Sequence, residues 1–383
     1  MSTRTVVFLL IALTLLAIAL STGGAIYYLL FWMFMALMVI ALETVLATLW
    51  TIRVRAEAQR TKAIRGETVA IHMNIRRGTL LPVGPVELEV SSPMDNRSVG
   101  RITVELPPLR SKEYRYAMSC PHRGHYQLGI SRVRVTDIFG LFTFGRKIQQ
   151  GNAQVSVFPK TETVTAMPIE PGETGPQGRV KTSEDMSSPS GVRPWQDGDH
   201  LKKVHWKLTM RKRELMVRTY EESARPDTLV LMDVSPVNAS RSQVMTIEDT
   251  MCDAAASAVL AQLTAGYPVR MPISSAHPVE IAGQFPGEIG RFLEALTDLN
   301  FDSPYSFEQV LTLEMRRVQR TGGVLLVTAR MNSAIADYAV RMKRLGVSVQ
   351  VSWVAESVTP ESLTLKAQME LNGIPIRQIS PWG

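Results

Sequence analysis
The sequence predicts a multi-domain chain: an N-terminal two-helix transmembrane hairpin, an antiparallel β-sandwich-like domain, and a C-terminal α/β domain. Three observations carry this. No charged residue stands between Thr5 and Leu42. Short alternating runs separated by Gly/Pro turns then fill residues 53–160. From residue 226 onward, continuous apolar runs alternate with helical patterns. The boundaries follow as 1–52 for the hairpin, 53–160 for the β domain, 161–225 for a linker with a distinctive basic motif, and 226–383 for the α/β domain.

The uncharged N-terminal stretch is too long for one span, because about 20 apolar residues cross the hydrocarbon core. "STGG" at 21–24 favours a turn, which predicts helices over about 6–20 and 26–49. A cleaved signal peptide opening on "MSTR" is the alternative for the first of them. The hairpin loop lacks Lys and Arg, whereas Arg53, Arg55, Arg60, Lys62 and Arg65 follow the second helix. The positive-inside rule then puts everything after Thr51 in the cytoplasm. Glu43 falls near the cytoplasmic end of its helix, where water can reach it.

In the β domain, "ETVAIHMNI", "PVELEV", "RITVEL", "EYRYAM", "ISRVRVTD" and "AQVSVF" each alternate with period two. Residues 161–190 are rich in Pro, Gly, Glu and Ser and read as a long surface connection, mobile at least in part. Beyond 226, "DTLVLMDVS" and "GVLLVTAR" read as buried parallel strands, joined by "YPVRMPIS" and "VSVQVSWV". Helices are expected over "QVMTIEDTMCDAAASAVLAQLTAG", "GEIGRFLEALTDL", "SFEQVLTLEMRRVQRTG" and "SAIADYAVRMKRLG". That alternation makes an open sheet with helices on both faces.

Charge is unevenly spread. Residues 51–160 hold 18 Lys/Arg against 8 Asp/Glu, while 226–383 hold 12 against 16. A basic domain beside a membrane suits an anionic leaflet. The acidic C-terminal domain argues against a nucleic-acid binder. The two cysteines, Cys120 and Cys252, make no disulfide framework and stay reduced in a cytoplasmic location.

Nucleotide-binding and hydrolase fingerprints are missing: the sequence has no GxxxxGK[ST], no GxGxxG after a strand, no GxSxG and no HExxH. "CPHRGHY" places Cys120, His122 and His125 close together, but no fourth zinc ligand is near. His200 and His205, five apart, fall on different faces of a helix. The cluster of Lys202, Lys203, Lys207, Arg211, Lys212 and Arg213 can bind phosphates or pair with nearby Asp197, Asp199, Glu214, Glu221 and Glu222. At the carboxyl edge of the first parallel strand stand Asp233 and Ser235, oxygen ligands that suggest Mg²⁺. Val237 takes the place of a second hydroxyl, and Thr328 is the best ligand the neighbouring strand edge offers.

Two motifs carry a family resemblance. Arg123, Gly124, Tyr126, Leu128, Gly129, Asp137, Phe139, Gly140, Leu141 and Phe142 form the first. Arg193, Gly198, Asp199, Trp206, Lys207, Arg211 and Leu215 form the second. Together they make the chain similar to the bacterial family catalogued as domain of unknown function 58. Departures are Ile138 for Pro, Trp195 for Tyr, Lys202 for Arg, Val204 for Ile and Met210 for Ala. The resemblance implies a von Willebrand factor A-like (Rossmann-like) C-terminal domain. It further implies genes beside MoxR-type AAA+ ATPases and transglutaminase-like membrane proteins, and no family-wide enzymatic activity. Domains of that kind hold a partner's carboxylate through a D-x-S-x-S metal site, of which only Asp233 and Ser235 are present.

The function expected on these grounds is that of a membrane-anchored cytoplasmic adaptor, not an enzyme, partnering a MoxR-type ATPase in assembly, maturation or envelope stress. Its docking element is the stretch carrying Arg193, Trp195, Gly198, Asp199, Lys202, Trp206, Lys207 and Arg211. There the tryptophans are expected to bury against neighbouring faces and Asp199 to cap a short helix. A cation-dependent ligand module at Asp233 and Ser235 is the alternative, and a pocket joining Asp199, His205 and Asp233 would be needed for an enzyme.

Overall fold
The computed structural model describes residues 3–91, 100–148, 153–169, 189–196, 201, 204–220, 227–318 and 321–381. The chain divides into two compact units, Met1–Pro159 and Lys160–Gly383.

The first unit opens with α1 (Thr3–Thr22) and α2 (Ala25–Thr51), both long and apolar enough to cross a membrane. They part where expected: Gly23 adopts φ +67°, a left-handed helix stop that favours glycine. Phe8 and Phe34 meet across the pair with ring centroids 5.5 Å apart.

Nine strands follow: β1 (Arg53–Ala58), β2 (Lys62–Ile64), β3 (Thr68–Arg76), β4 (Val86–Ser91), β5 (Gly100–Val104), β6 (Ser111–Ser119), β7 (Gly124–Thr136), β8 (Thr143–Lys147) and β9 (Ala153–Phe158). One antiparallel sheet has the order β1-β3-β6, and a second runs β2-β9-β7-β4-β5 with β8 also on β7. The fully antiparallel expectation needs one amendment, since β2 lies parallel to β9. The inward residues of both sheets, among them Ile71, Met73, Leu88, Ile130, Val133 and Val155, share one core with Val45 and Leu49 of α2. The basic run after α2 is itself strand β1, with Arg53 and Arg55 outward and Val54 and Ala56 inward.

Gly84 lies where β4 begins, and its N–H donates to Thr136 O at 2.9 Å. A Cβ there would lie 2.8 Å from Asp137 O and 3.0 Å from Thr136 O. Both neighbours are backbone and cannot swing aside. Gly84→Ala is therefore expected to cost ~1–3 kcal/mol, read as a lowered urea midpoint. An unchanged midpoint would mean that the loop moves freely.

The second unit starts with a strap, residues 160–169, laid along the α/β domain, while residues 170–188 of the expected long connection lie outside the described residues. The strap precedes β10 (Pro189–Pro194), α3 (Trp206–Lys212), β11 (Met216–Tyr220) and β12 (Asp227–Met232). Then come α4 (Arg241–Thr264), β13 (Val269–Ile273), β14 (Val279–Gly283), α5 (Ile289–Asp298), α6 (Phe307–Glu314), β15 (Thr321–Thr328), α7 (Ser333–Arg344), β16 (Ser348–Val354), α8 (Pro360–Leu371) and β17 (Ile376–Ile379).

The large sheet has the order β14-β13-β12-β15-β16-β17, parallel except for β14. Alternate residues of β12 face opposite cores. Val230 and Met232 pack with α4 and α5, while Leu229 and Leu231 pack with α6, α7 and α8. Helices thus cover both faces, as the apolar runs predict.

The strap completes the α4 side. Lys160 N donates to Asp253 Oδ1 at 2.7 Å, Glu162 N to Ser257 Oγ at 2.9 Å, and Gln262 Nε2 to Met167 O at 3.2 Å. Met167 is buried against Gly323, whose missing side chain makes room for it.

Candidate functional site
The second motif folds into a small substructure. β10 and β11 pair antiparallel, with Arg193 opposite Val217, and Trp195 N donates to Leu215 O at 2.8 Å. Between them stands α3. Its cap is His205, whose Nδ1 accepts from Leu208 N at 3.2 Å. The expected cap, Asp199, lies with Gly198 and Lys202 outside the described residues. The helix closes at Arg213, held at φ +58° with its N–H on Thr209 O. Thr209 Oγ1 accepts from Met216 N at 3.0 Å, which ties α3 to β11.

Contrary to the expectation of two buried tryptophans, Trp195 is half-buried and Trp206 is 61% exposed. No residue of α3 is buried. Trp206 and Met210, four apart and thus on one face, present 61% and 82% of their surfaces to solvent. Lys207 and Arg211 are exposed at the same spacing one residue on. The motif therefore displays an aromatic–methionine pair beside a row of cations.

The second candidate sits where β12 and β15 end side by side. This is the point at which chain connections leave in opposite directions, and open α/β sheets bind ligands there. Asp233, 2% exposed, fills both its oxygens from within. Oδ1 accepts from Ser235 N at 3.1 Å and Ser235 Oγ at 2.6 Å. Oδ2 accepts from Thr328 Oγ1 at 3.2 Å and pairs with Arg330 Nε at 3.2 Å. Arg330 also donates through Nη2 to Pro236 O at 3.2 Å.

Arg330 in addition influences Glu308. The amide of Asn332, donating at 2.7 Å, holds the Glu308 carboxyl below the usual carboxylate range, with a smaller contribution from the charge of Arg330. In the sequence Arg330 is simply the residue that closes the run "GVLLVTAR". The structure gives it a positive role: its guanidinium supplies the charge that neutralises Asp233. The single carboxylate of this edge thus faces a guanidinium in place of a second oxygen ligand, which weighs against a divalent cation.

The other metal candidate fails on similar grounds. Cys120 is fully buried, and burial, then the nearby charge of Glu67, push its thiol up, away from the thiolate that zinc requires. His125 Nδ1 is hydrogen-bonded to Ser156 Oγ at 2.8 Å. Among the described residues no group of three or more His, Cys, Asp or Glu is placed to hold a metal. His205 and Asp233 belong to separate hydrogen-bonded arrangements, with His205 on α3 and Asp233 on Ser235, Thr328 and Arg330.

The first motif, used above only for recognition, has a structural task that its residue types signal. Asp137 Oδ1 accepts from Leu141 N at 2.7 Å and Phe142 N at 3.2 Å, folding "DIFGLF" into a closed loop. Gly140 turns it with φ +70°. Thr5 of α1 donates its hydroxyl to Leu141 O, so the loop holds the start of the first helix.

Comparison with known proteins agrees with the resemblance. The family described as "Protein of unknown function DUF58" matches residues 191–358. The uncharacterized protein YeaD of Bacillus subtilis (strain 168) is 23% identical over 238 residues, and the match spans 60% of each chain. Among solved structures, a β-glucosidase from Erythrobacter marinus aligns at 13% identity with a TM-score of 0.18, covering 28% of this chain and 15% of that one. A cycloisomaltooligosaccharide glucanotransferase from Paenibacillus sp. aligns at 8% identity, also with a TM-score of 0.18, covering 85% and 52%. At such scores neither structure says anything about fold or activity. The region similar to the DUF58 family begins within β10 and runs to just past β16 of the large sheet.

Proposed function
We propose that this protein is a membrane-anchored interaction protein, not an enzyme, that docks a partner through α3. The observation that carries the reading is the unburied helix at the centre of the family motif. Trp206 and Met210 stand open beside Lys207 and Arg211. Large aromatic and arginine side chains dominate the energetics of protein interfaces, and a row of cations selects an acidic counterpart.

The partner we propose is a MoxR-type AAA+ ATPase, with a transglutaminase-like membrane protein as a second candidate; the family resemblance supports both. The C-terminal domain is read as von Willebrand factor A-like, on the order of its sheet and the Asp233 edge. The two sheets of the first unit are read as a β-sandwich, on their shared core. The hairpin is read as two spans of a bacterial inner membrane, with everything after Thr51 in the cytoplasm, supported by the arginines that follow α2. The filled oxygens of Asp233 weigh against the cation-dependent module.

The test is a crosslinked affinity pull-down of the full-length protein from its native membrane, read by mass spectrometry. It is run beside a Trp206→Ala/Met210→Ala variant and a Lys207→Glu/Arg211→Glu variant. An AAA+ ATPase is expected with the unaltered chain and ~10-fold less with either variant. A harvest without ATPase would remove that partner, and equal recovery with the variants would move the docking surface away from α3.

A further inference from the structure
We propose that two neighbouring loops of the first unit, residues 77–82 and 137–141, form a foot that seats its β strands on an anionic lipid bilayer. The inference rests on reading α1 and α2 as membrane spans.

Both loops present apolar side chains outward: Leu80 is 72% exposed, Leu81 42%, Ile138 53% and Phe139 42%. Neither loop is held by burying these residues. The first is pinned from behind by Arg77, itself 3% exposed. Its guanidinium donates to Thr79 O at 3.1 Å, Leu81 O at 2.7 Å and Leu106 O at 3.3 Å. The second is closed by the Asp137 carboxylate described above. The Gly84 contact to Thr136 and Asp137 sets the two loops side by side. Buried polar anchors that hold leucine, isoleucine and phenylalanine in the open are costly in water. They make sense where the tips enter an apolar phase.

The location fits. Thr79 Oγ1 is hydrogen-bonded to Thr48 Oγ1 of α2 at 3.1 Å, and Gly78 packs on Thr51 at the end of that helix. The second loop holds the start of α1 through Thr5, and Arg4 approaches Gly140. Both loops therefore lie at the end of the hairpin from which the β strands emerge. Trp50, 84% exposed, is at the same level, as expected of an interfacial anchor. Arg146 donates to Leu49 O at 3.3 Å, and Arg53 stands exposed just after the helix. These cations at the helix ends suit anionic headgroups and mark the bilayer, in preference to a protein, as the occupant.

The experiment uses the full-length chain in vesicles of phosphatidylcholine and phosphatidylglycerol. Single variants Leu46→Cys, Leu80→Cys, Phe139→Cys and Ser119→Cys are each labelled with an environment-sensitive fluorophore. The native cysteines are both fully buried and leave these surface sites distinct. Lipids carrying a spin label at the headgroup or along the chain then report depth by quenching. Leu46 lies within α2, and Ser119 lies at the opposite end of the β3–β6 ladder from Arg76. We expect chain-depth quenching at Leu46, shallow quenching at Leu80 and Phe139, and none at Ser119. Quenching at Leu46 without any at Leu80 and Phe139 would overturn the foot and leave the spans standing. No quenching at Leu46 would overturn the spans and the foot with them.

Discussion
Arg330→Ala is expected to destabilise the second unit by ~2–4 kcal/mol. Asp233 is 2% exposed, and its Oδ2 pairs with Arg330 Nε at 3.2 Å. Removing one partner of a buried ion pair leaves a desolvated charge uncompensated, typically at 3–5 kcal/mol. The upper end is not expected here, because the Arg330 side chain is 44% exposed and water can enter the space it leaves. Thr328 and Ser235 offset part of the loss, since their hydroxyls and the Ser235 N–H still reach the carboxylate. Urea unfolding of the full-length chain measures the change. The buried Trp353, register partner of Thr328, is a fluorescent reporter beside the site.

Two companions make that result specific. Asp233→Asn combined with Arg330→Met removes both charges and should recover ~1 kcal/mol or more of the loss, because no lone charge remains. Mg²⁺ and Mn²⁺ should leave the midpoint of the unaltered chain where it is. A ligand present at a hundred times its dissociation constant would add ~2.7 kcal/mol. A rise of that size with either cation would show that the guanidinium yields to a metal and would revive the cation-dependent reading.

The Arg330 pair also shows where sequence reasoning stops. Strand ends follow from apolar runs, so Asp233, Ser235, Thr328 and Arg330 are all legible as residues at strand edges. That Arg330 turns back onto Asp233 is a matter of a long side chain and local turn geometry, which periodicity does not encode. The hairpin was readable because charge-free length is a compositional signal, and Gly23 supplies the one conformation the turn needs. The strap was not. In "TETVTAMPIE" a single methionine carries the packing, and its pocket depends on Gly323, more than a hundred and fifty residues away.

Other elements carry signals in the sequence. α8 begins at Pro360 behind a Thr359–Ser362 capping pair and stops before Gly373 at φ +74°, all visible as helix punctuation. β14 is a short antiparallel edge strand with alternating burial, too weak to stand out without its partner β13. At α3 the cap is His205, a residue type that helix punctuation does not single out, while Asp199 lies outside the described residues. The exposure of Trp206 departs from expectation for a general reason. Tryptophan is usually largely buried, and its exposure here is what points to a docking role.

Phe292→Ala is expected to produce the largest single loss, ~3–5 kcal/mol, through transfer of the ring and the cavity it leaves. Phe292 is fully buried on α5, in the core it shares with Met251, Val259, Met271, Ile281 and Leu296. Its ring lies so close to β14 that a Cβ on Gly283 would sit 2.8 Å from Cε2. The ring therefore fixes α5 over the edge hairpin of β13 and β14. A loss of that size is a large part of the 5–15 kcal/mol net stability of a typical domain. It should fall first on the edge, because β14 pairs on one side only. Hydrogen exchange is expected to show β14 amides losing protection before those of β12 and β15. Phe292→Leu keeps an apolar side chain in place and should cost less than half as much. If Phe292→Ala cost under ~1 kcal/mol, or if protection fell equally across all six strands, α5 would not be the element that holds the edge.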